Sequence, residues 1–263
     1  MGQRLGQHFL KNKSKIKKIV DALELKTGDV VVEIGPGHGE LTEEIATSDK
    51  RHEIKIIAIE KDKILSERLK EKFKDNNNIE IIEGDVLRVF PKLTTNYQLL
   101  ITNLKLVGNV PYYITGKLLR ILSELENKPS IIVLTIQKEV AQRICGQPPR
   151  MNLLAAITQF WAEPKIIEYI SKNDFKPAPK VDGAIVALRP QINADYTQID
   201  ADKFYKFVKV LFKQPRKTII NNLRSITDNL QLLIEKLRSV GINKDDRPQN
   251  LTLEQIKSLS TLF

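Results

Sequence analysis

With 263 residues, 41% hydrophobic side chains and a net charge of +10, the chain has room for one large domain, or a main domain and a small one. No apolar run approaches the roughly 18 residues of a membrane span, and the N-terminal stretch MGQRLGQHFLKNKSK has no signal-peptide core, which predicts a cytoplasmic protein with no membrane partner. Cys145 is the sole cysteine, and His8, His38 and His52 are scattered without ligand spacing, so neither a disulfide framework nor a metal site is expected.

In chain order, Ile16, Ile19, Val20 and Leu23 follow helical spacing behind a basic arm. Val30–Ile34 reads as a buried strand that runs into the glycine-rich GPGHG, and LTEEIA then starts a helix. EIKIIAIE is a second strand ending at Glu60, Lys63–Phe73 a helix, and IEIIEGD a third strand ending at Asp85. The fourth, QLLITNLKLVGN, has two apolar pieces, Leu99–Ile101 and Leu104–Val107, and stops at the turn-forming GNVPYYIT. SIIVLTIQ is the fifth strand, KEVAQRI and NLLAAITQFWA are helical, and PKIIEYI and GAIVALRP are two final strands around the loop KNDFKPAPKVD. This alternation predicts an α/β domain, a parallel sheet with helices on both faces, over residues 1–190. Residues 191–263 hold four helical patterns and predict a small helical domain.

Charge is distributed unevenly. The first twenty residues carry six basic side chains and no acid, and Lys203 to Arg224 carry seven and no acid. Two such stretches point to a polyanionic partner, whose affinity would fall with salt at a slope of roughly 0.7 to 0.9 per phosphate contact.

Gly35, Glu60, Asp85 and Asn109 recur at intervals of 25, 25 and 24 residues, each behind a strand. In an open parallel sheet the carboxyl ends of the strands share one edge, so these four should line one crevice. Gly35, Gly37 and Gly39 let the backbone approach a ligand at a helix N-terminus. Glu60 can accept from both hydroxyls of a ribose, and Asp85 can accept from an adenine amine or fix a loop. The compressed glycine pattern favours S-adenosylmethionine over a nicotinamide dinucleotide.

In Asn109-Val110-Pro111-Tyr112 the Asn109 side-chain oxygen and the Val110 carbonyl could take the two hydrogens of an exocyclic adenine amine. Pro111 presets the loop and Tyr112 offers a stacking face. Tyr113 reads as a packing plug at the sheet edge.

The chain resembles the bacterial ribosomal RNA adenine dimethyltransferases that modify two adjacent adenosines near the 3′ end of 16S rRNA. Eight motifs in order carry the likeness: GQHFL (Gly6–Leu10), EIGPGHG (Glu33–Gly39), IE ending at Glu60, GD (Gly84–Asp85), GNVPYYIT, QKEVAQRI, FKPAPKVD (Phe175–Asp182) and RKTIINNL. The resemblance implies a class I, Rossmann-like methyltransferase sheet with a small all-helical C-terminal domain that contacts rRNA. It also implies S-adenosyl-L-methionine as methyl donor and the immature small subunit as partner. By the same resemblance His8, Leu10, Gly35, Gly37, Glu60, Asp85 and Asn109 fall at cofactor positions, and Phe175 joins Tyr112 beside the target base. His8 stands where relatives often carry Asn, and Pro215 interrupts a basic pair. A monomer is expected. Two other readings stay open from the residues: a 23S rRNA dimethyltransferase of the macrolide-resistance type, and a non-catalytic assembly factor on the same fold.

Overall fold

A computed structural model describes residues 7–48, 53–96, 103–191, 199–227 and 229–263. Arg4, Gly6, the Leu99–Ile101 piece and residues 192–198 lie outside the described residues. The chain forms two compact units, one of residues 1–141 and 165–190, the other of 142–164 and 191–263. The second unit thus takes in a segment that sequence patterning had grouped with the first.

In the first unit the chain runs through β1 (Phe9–Leu10), α1 (Lys13–Ala22), β2 (Val30–Ile34), α2 (Glu40–Ser48), β3 (Lys55–Glu60), α3 (Lys63–Lys72) and β4 (Ile79–Glu83). It continues through α4 (Val86–Asn96), β5 (Leu104–Asn109), α5 (Thr115–Glu124), β6 (Ile131–Gln137) and α6 (Lys138–Ile144). After α7 (Leu153–Trp161), which belongs to the second unit, the first unit resumes with β7 (Ala162–Ile170), β8 (Phe175–Lys176) and β9 (Gly183–Pro190). Seven strands form one sheet in the order β4-β3-β2-β5-β6-β9-β7. β2 through β6 pair in parallel, but β9 runs antiparallel to β6, so the sheet is mixed where a parallel one was expected. An antiparallel β9 can lie beside β6 without a crossover helix of its own, and β7 beyond it forms the edge of the sheet.

The central strands are apolar because both faces are covered: every residue of β2 and β6 except Gln137 is buried. Asp62 caps α3 by accepting from the Ile64 and Leu65 amides, and Asn12 caps α1 through the Lys15 amide. Helix α4 escaped sequence patterning because Pro91 sits inside it. At the amino edge of the sheet Lys105 is buried with Asp29.

The second unit packs α7 with α8 (Ala201–Leu211), α9 (Ile219–Leu223), α10 (Leu230–Ser239) and α11 (Leu253–Ser260) around its own apolar core. Phe160 stacks on Phe204 with centroids 4.0 Å apart. The buried Asn222 braces the turn between α8 and α9: its Oδ1 accepts from the Gln214 amide at 2.8 Å, and its Nδ2 donates to the Gln214 and Thr218 carbonyls. That turn carries Lys213, Arg216 and Lys217, all exposed. Among the described residues no helix is long and apolar enough to cross a membrane.

Candidate active site

Strand order reverses at β2, which has β3 on one side and β5 on the other. The loops that leave these strands open a solvent-connected cleft of about 840 Å³. Gly35, Glu60, Asp85 and Asn109 all line it, as their spacing predicted, and Gly37 lines it with them. So do Val110, Pro111, Tyr112, His8 and Phe175. Leu10 does not: it is buried in the core and borders a smaller neighbouring cavity. Tyr113 was expected to plug the sheet edge, yet it is 64% exposed and lies on the cleft rim. The short turn Tyr112–Ile114 leads straight into α5 and turns that ring outward.

The floor is built from backbone. The Gly35 amide donates to the Ile59 carbonyl and the Gly84 amide to the Glu60 carbonyl, which stitches the ends of β2, β3 and β4 together. Gly35 and Gly37 both have positive φ, of 62° and 63°. A Cβ on Gly35 would meet nothing within 4 Å, so the loop leaves its space to a ligand, whereas one on Gly37 would sit 2.7 Å from the Phe9 ring. Phe9 in turn packs on His38, with centroids 4.4 Å apart.

Glu60 is buried and accepts from Asp62 N–H at 2.9 Å on Oε1 and from Gly37 N–H at 3.1 Å on Oε2. Each oxygen keeps a lone pair for a ligand hydroxyl. Burial raises its pKa, while the amides of Asp62, Gly37 and Lys61 counteract that. Asp85 serves two partners, since its Oδ1 accepts from the Leu87 amide at the start of α4 and its Oδ2 pairs with Lys61 at 2.9 Å. Partial burial opposes its charge, but Lys61 and the Leu87 amide outweigh burial and hold its pKa below the ordinary value.

The wall joins two motifs far apart in sequence. β1 pairs antiparallel with β8, setting Leu10 opposite Phe175, and Lys11 N–H donates to the Asp174 carbonyl. His8 Nδ1–H donates to the Pro177 carbonyl at 2.8 Å. The His8 carbonyl then accepts from Asn109 Nδ2 at 2.6 Å. Because a carbonyl can only accept, the amide nitrogen of Asn109 must face His8, and Oδ1 is the atom left to serve a ligand. The Val110 amide is fixed on the Thr135 carbonyl at 3.1 Å, and the Ile114 amide on the Pro111 carbonyl at 3.0 Å. Tyr112 is half-buried with its hydroxyl enclosed and unpartnered; burial and the Asp182 charge both raise its pKa.

Sequence patterning missed Phe9 and Lys61 as cleft residues. Phe9 carried a signal, an aromatic between two predicted contacts; Lys61 carried only its place next to Glu60.

Beneath the glycine loop Glu33 is buried and accepts from Thr42 Oγ1 at 2.6 Å. Burial raises its pKa to about 8. A folded-state pKa above the unfolded value of 4.5 means that folding takes up a proton between those two limits. The group's contribution is then complete below pH 4.5 and is lost as pH rises to about 8. Glu33→Gln keeps an acceptor for Thr42 and removes the titration. Urea unfolding should find the variant close to the parent at pH 5 and more stable by about 2–4 kcal/mol at pH 9. A stability difference that stays flat from pH 5 to pH 9 would mean that Glu33 is already ionised in the fold.

The model of one protein family, described as ribosomal RNA adenine dimethylase, matches residues 2–263. The chain is 36% identical over 267 residues to the ribosomal RNA small subunit methyltransferase A of Mycoplasma capricolum, covering 98% of this chain and 96% of that one. It is 34% identical to the protein of the same name in Clostridium botulinum, covering 98% and 92%. Among solved structures, a dimethyladenosine transferase from Plasmodium falciparum aligns with a TM-score of 0.80 at 23% identity over 96% of each chain. A 23S rRNA methyltransferase, ErmE, aligns with a TM-score of 0.74 at 24% identity, over 96% of this chain and 98% of that one. Both structural likenesses bear on the fold.

Proposed function

The chain belongs to the ribosomal RNA adenine dimethylase family, and from that premise we propose that it dimethylates the N6 amines of two adjacent adenosines near the 3′ end of 16S rRNA in the small ribosomal subunit. The observation that carries this reading is the orientation of Asn109. Its nitrogen is committed to the His8 carbonyl, so its oxygen is the atom left for a ligand in the cleft that Asn109 lines with the glycine loop and Tyr112.

S-adenosylmethionine suits the cleft and would supply an electrophilic methyl carbon there. Glu60 would accept from its ribose hydroxyls, Asp85 would meet the adenine end, and the glycine turn would lie against the remainder. Asn109 Oδ1 and the Val110 carbonyl would hold the two hydrogens of the target amine and favour a pyramidal nitrogen. Pro111 and the Val110–Thr135 bond keep those acceptors in place before the base arrives. Tyr112 and Phe175 would enclose the extruded base, with stacking worth roughly 1–3 kcal/mol. Acceleration then comes chiefly from alignment.

Relatives at 36% identity over nearly the whole chain are named for the small subunit, and that is why we place the substrate in the small rather than the large one. The rRNA contact is assigned to the exposed cations of the second unit. Lys203, Lys206, Lys209, Lys213, Arg216, Lys217 and Arg224 are all exposed. By contrast, Lys11, Lys15 and Lys18 of the N-terminal arm are engaged by Glu40 and Glu168 within the protein. We propose a monomer acting in the cytoplasm without a metal.

The test is methyl transfer from labelled S-adenosylmethionine to undermethylated small and large subunits in parallel, with modified bases mapped. Dimethyladenosine confined to the 3′ end of 16S rRNA is expected. Label in 23S rRNA would keep the chemistry and change the substrate, and binding without transfer would make the protein an assembly factor.

A further inference from the structure

Beside the cleft, a second aromatic faces solvent. Tyr169, near the end of β7, is 44% exposed, and Lys138 Nζ lies 5.2 Å from its ring centre. Lys138 follows the last residue of β6, so this pair stands at the carboxyl edge of the sheet, the edge that holds the cleft. The backbone ties it to the cleft wall. Lys138 N–H donates to the Asp182 carbonyl at 3.0 Å, and Lys172 N–H donates to Asp182 Oδ1 at 3.1 Å. The next residue, Gly183, lies against Phe175: a Cβ there would sit 3.4 Å from that ring. The Asp182 charge also acts on the Tyr112 hydroxyl. In the loop that follows β7, Lys172, Lys176, Lys180 and Val181 are exposed, and none of these lysines has an ion pair among the described residues, while Lys138 Nζ also lies 4.0 Å from Asp182 Oδ2.

A half-exposed ring with a cation on one face, followed in the chain by a loop of exposed lysines, has the chemistry of a single-strand binding platform. Stacking tolerates any base, and ammonium groups meet the phosphates. Flipping one nucleotide leaves its neighbour without a stacking partner, which a ring beside the pocket can replace.

We propose that Tyr169 and Lys138 form a second stacking site, which takes the base of the nucleotide adjoining the adenosine held by Asn109 and Tyr112. The proposal rests on the target-base reading above. With two adjacent targets, a shift of one nucleotide would let the same pair of sites serve both.

The experiment is steady-state methylation of undermethylated small subunits by Tyr169→Leu, Tyr169→Phe and Lys138→Met, with Asn109→Ala alongside. Tyr169→Leu should raise KM for the subunit roughly tenfold, the lower part of the range for one lost stack. It should leave kcat and the melting temperature close to the parent values. Tyr169→Phe keeps the ring and should restore KM, and Lys138→Met should raise it by a few-fold. A parental KM in Tyr169→Leu would overturn the stacking site, as would a Phe variant no better than Leu. An Asn109→Ala variant that methylates at the parental rate would sink the target-base reading instead, so the two failures are distinguishable.

Discussion

Asn109→Ala slows methyl transfer about 10²–10³-fold while rRNA binding persists: this is the largest effect expected of any single substitution in the cleft. Its size follows from preorganisation. The Asn109 amide is held by the His8 carbonyl at 2.6 Å, and His8 is held by Pro177, so Oδ1 reaches its working position before the substrate enters. Deleting one fixed polar group of this kind typically costs a factor of about 10²–10³ in the chemical step. Asn109→Asp is the sharper probe, because it retains an acceptor yet sets a carboxylate oxygen against the His8 carbonyl. It should be nearly as inactive as the alanine variant. An amide does not titrate, so the loss should be uniform between pH 6 and pH 9. Single-turnover transfer of a labelled methyl group, with filter binding of subunits as control, reads both quantities. Transfer at the parental rate by Asn109→Ala would remove this residue from the chemistry.

Much of this cleft could be read from one dimension because parallel strand–helix units impose a repeat. Gly35, Glu60, Asp85 and Asn109 fall together since each ends a strand of the same sheet, and that follows from spacing alone. What spacing could not reach was pairing between distant segments. The clip of β1 on β8 joins Phe9–Leu10 to Phe175–Lys176, and two-residue strands leave no periodic trace. It buries the Leu10 side chain in the core, outside the lining of the cleft. Tyr113 misled for a related reason. An aromatic after a buried strand usually packs inward, but the tight turn at Tyr112–Ile114 puts neighbouring rings on different sides. The antiparallel β9 was equally hidden, since its apolar run GAIVAL is what a buried strand of either direction requires. Asp85 had two possible readings, helix cap or ligand contact, and its two oxygens serve one helix and one wall of the cleft.

Lys105 is the other position where one change should matter greatly, and it acts on stability rather than chemistry. It lies near the start of β5, and its ammonium pairs with Asp29 at 2.9 Å, the two side chains only 7% and 6% exposed. The same ammonium donates to the Leu23 carbonyl at 2.7 Å and to the Glu24 carbonyl, closing the end of α1 over the sheet. All three donors are therefore used, and the ion pair is compensated. Lys105→Met fills similar volume but strands the Asp29 carboxylate and two carbonyls in a dry site. Breaking a buried pair from one side costs about 3–5 kcal/mol, or roughly 10 °C in melting temperature for a chain of this size. The Asp29 carboxylate also accepts from the Lys26 amide, so it is not free to leave. Adding Asp29→Asn to Lys105→Met removes the unpaired charge and should recover part of the loss, a sign of coupling that independent sites do not give. Lys105 and Asn109 stand near opposite ends of one strand. Methyl transfer measured well below the melting transition should therefore stay near parental. If the double variant is no more stable than Lys105→Met, the cost lies in the lost carbonyl contacts and not in the stranded carboxylate.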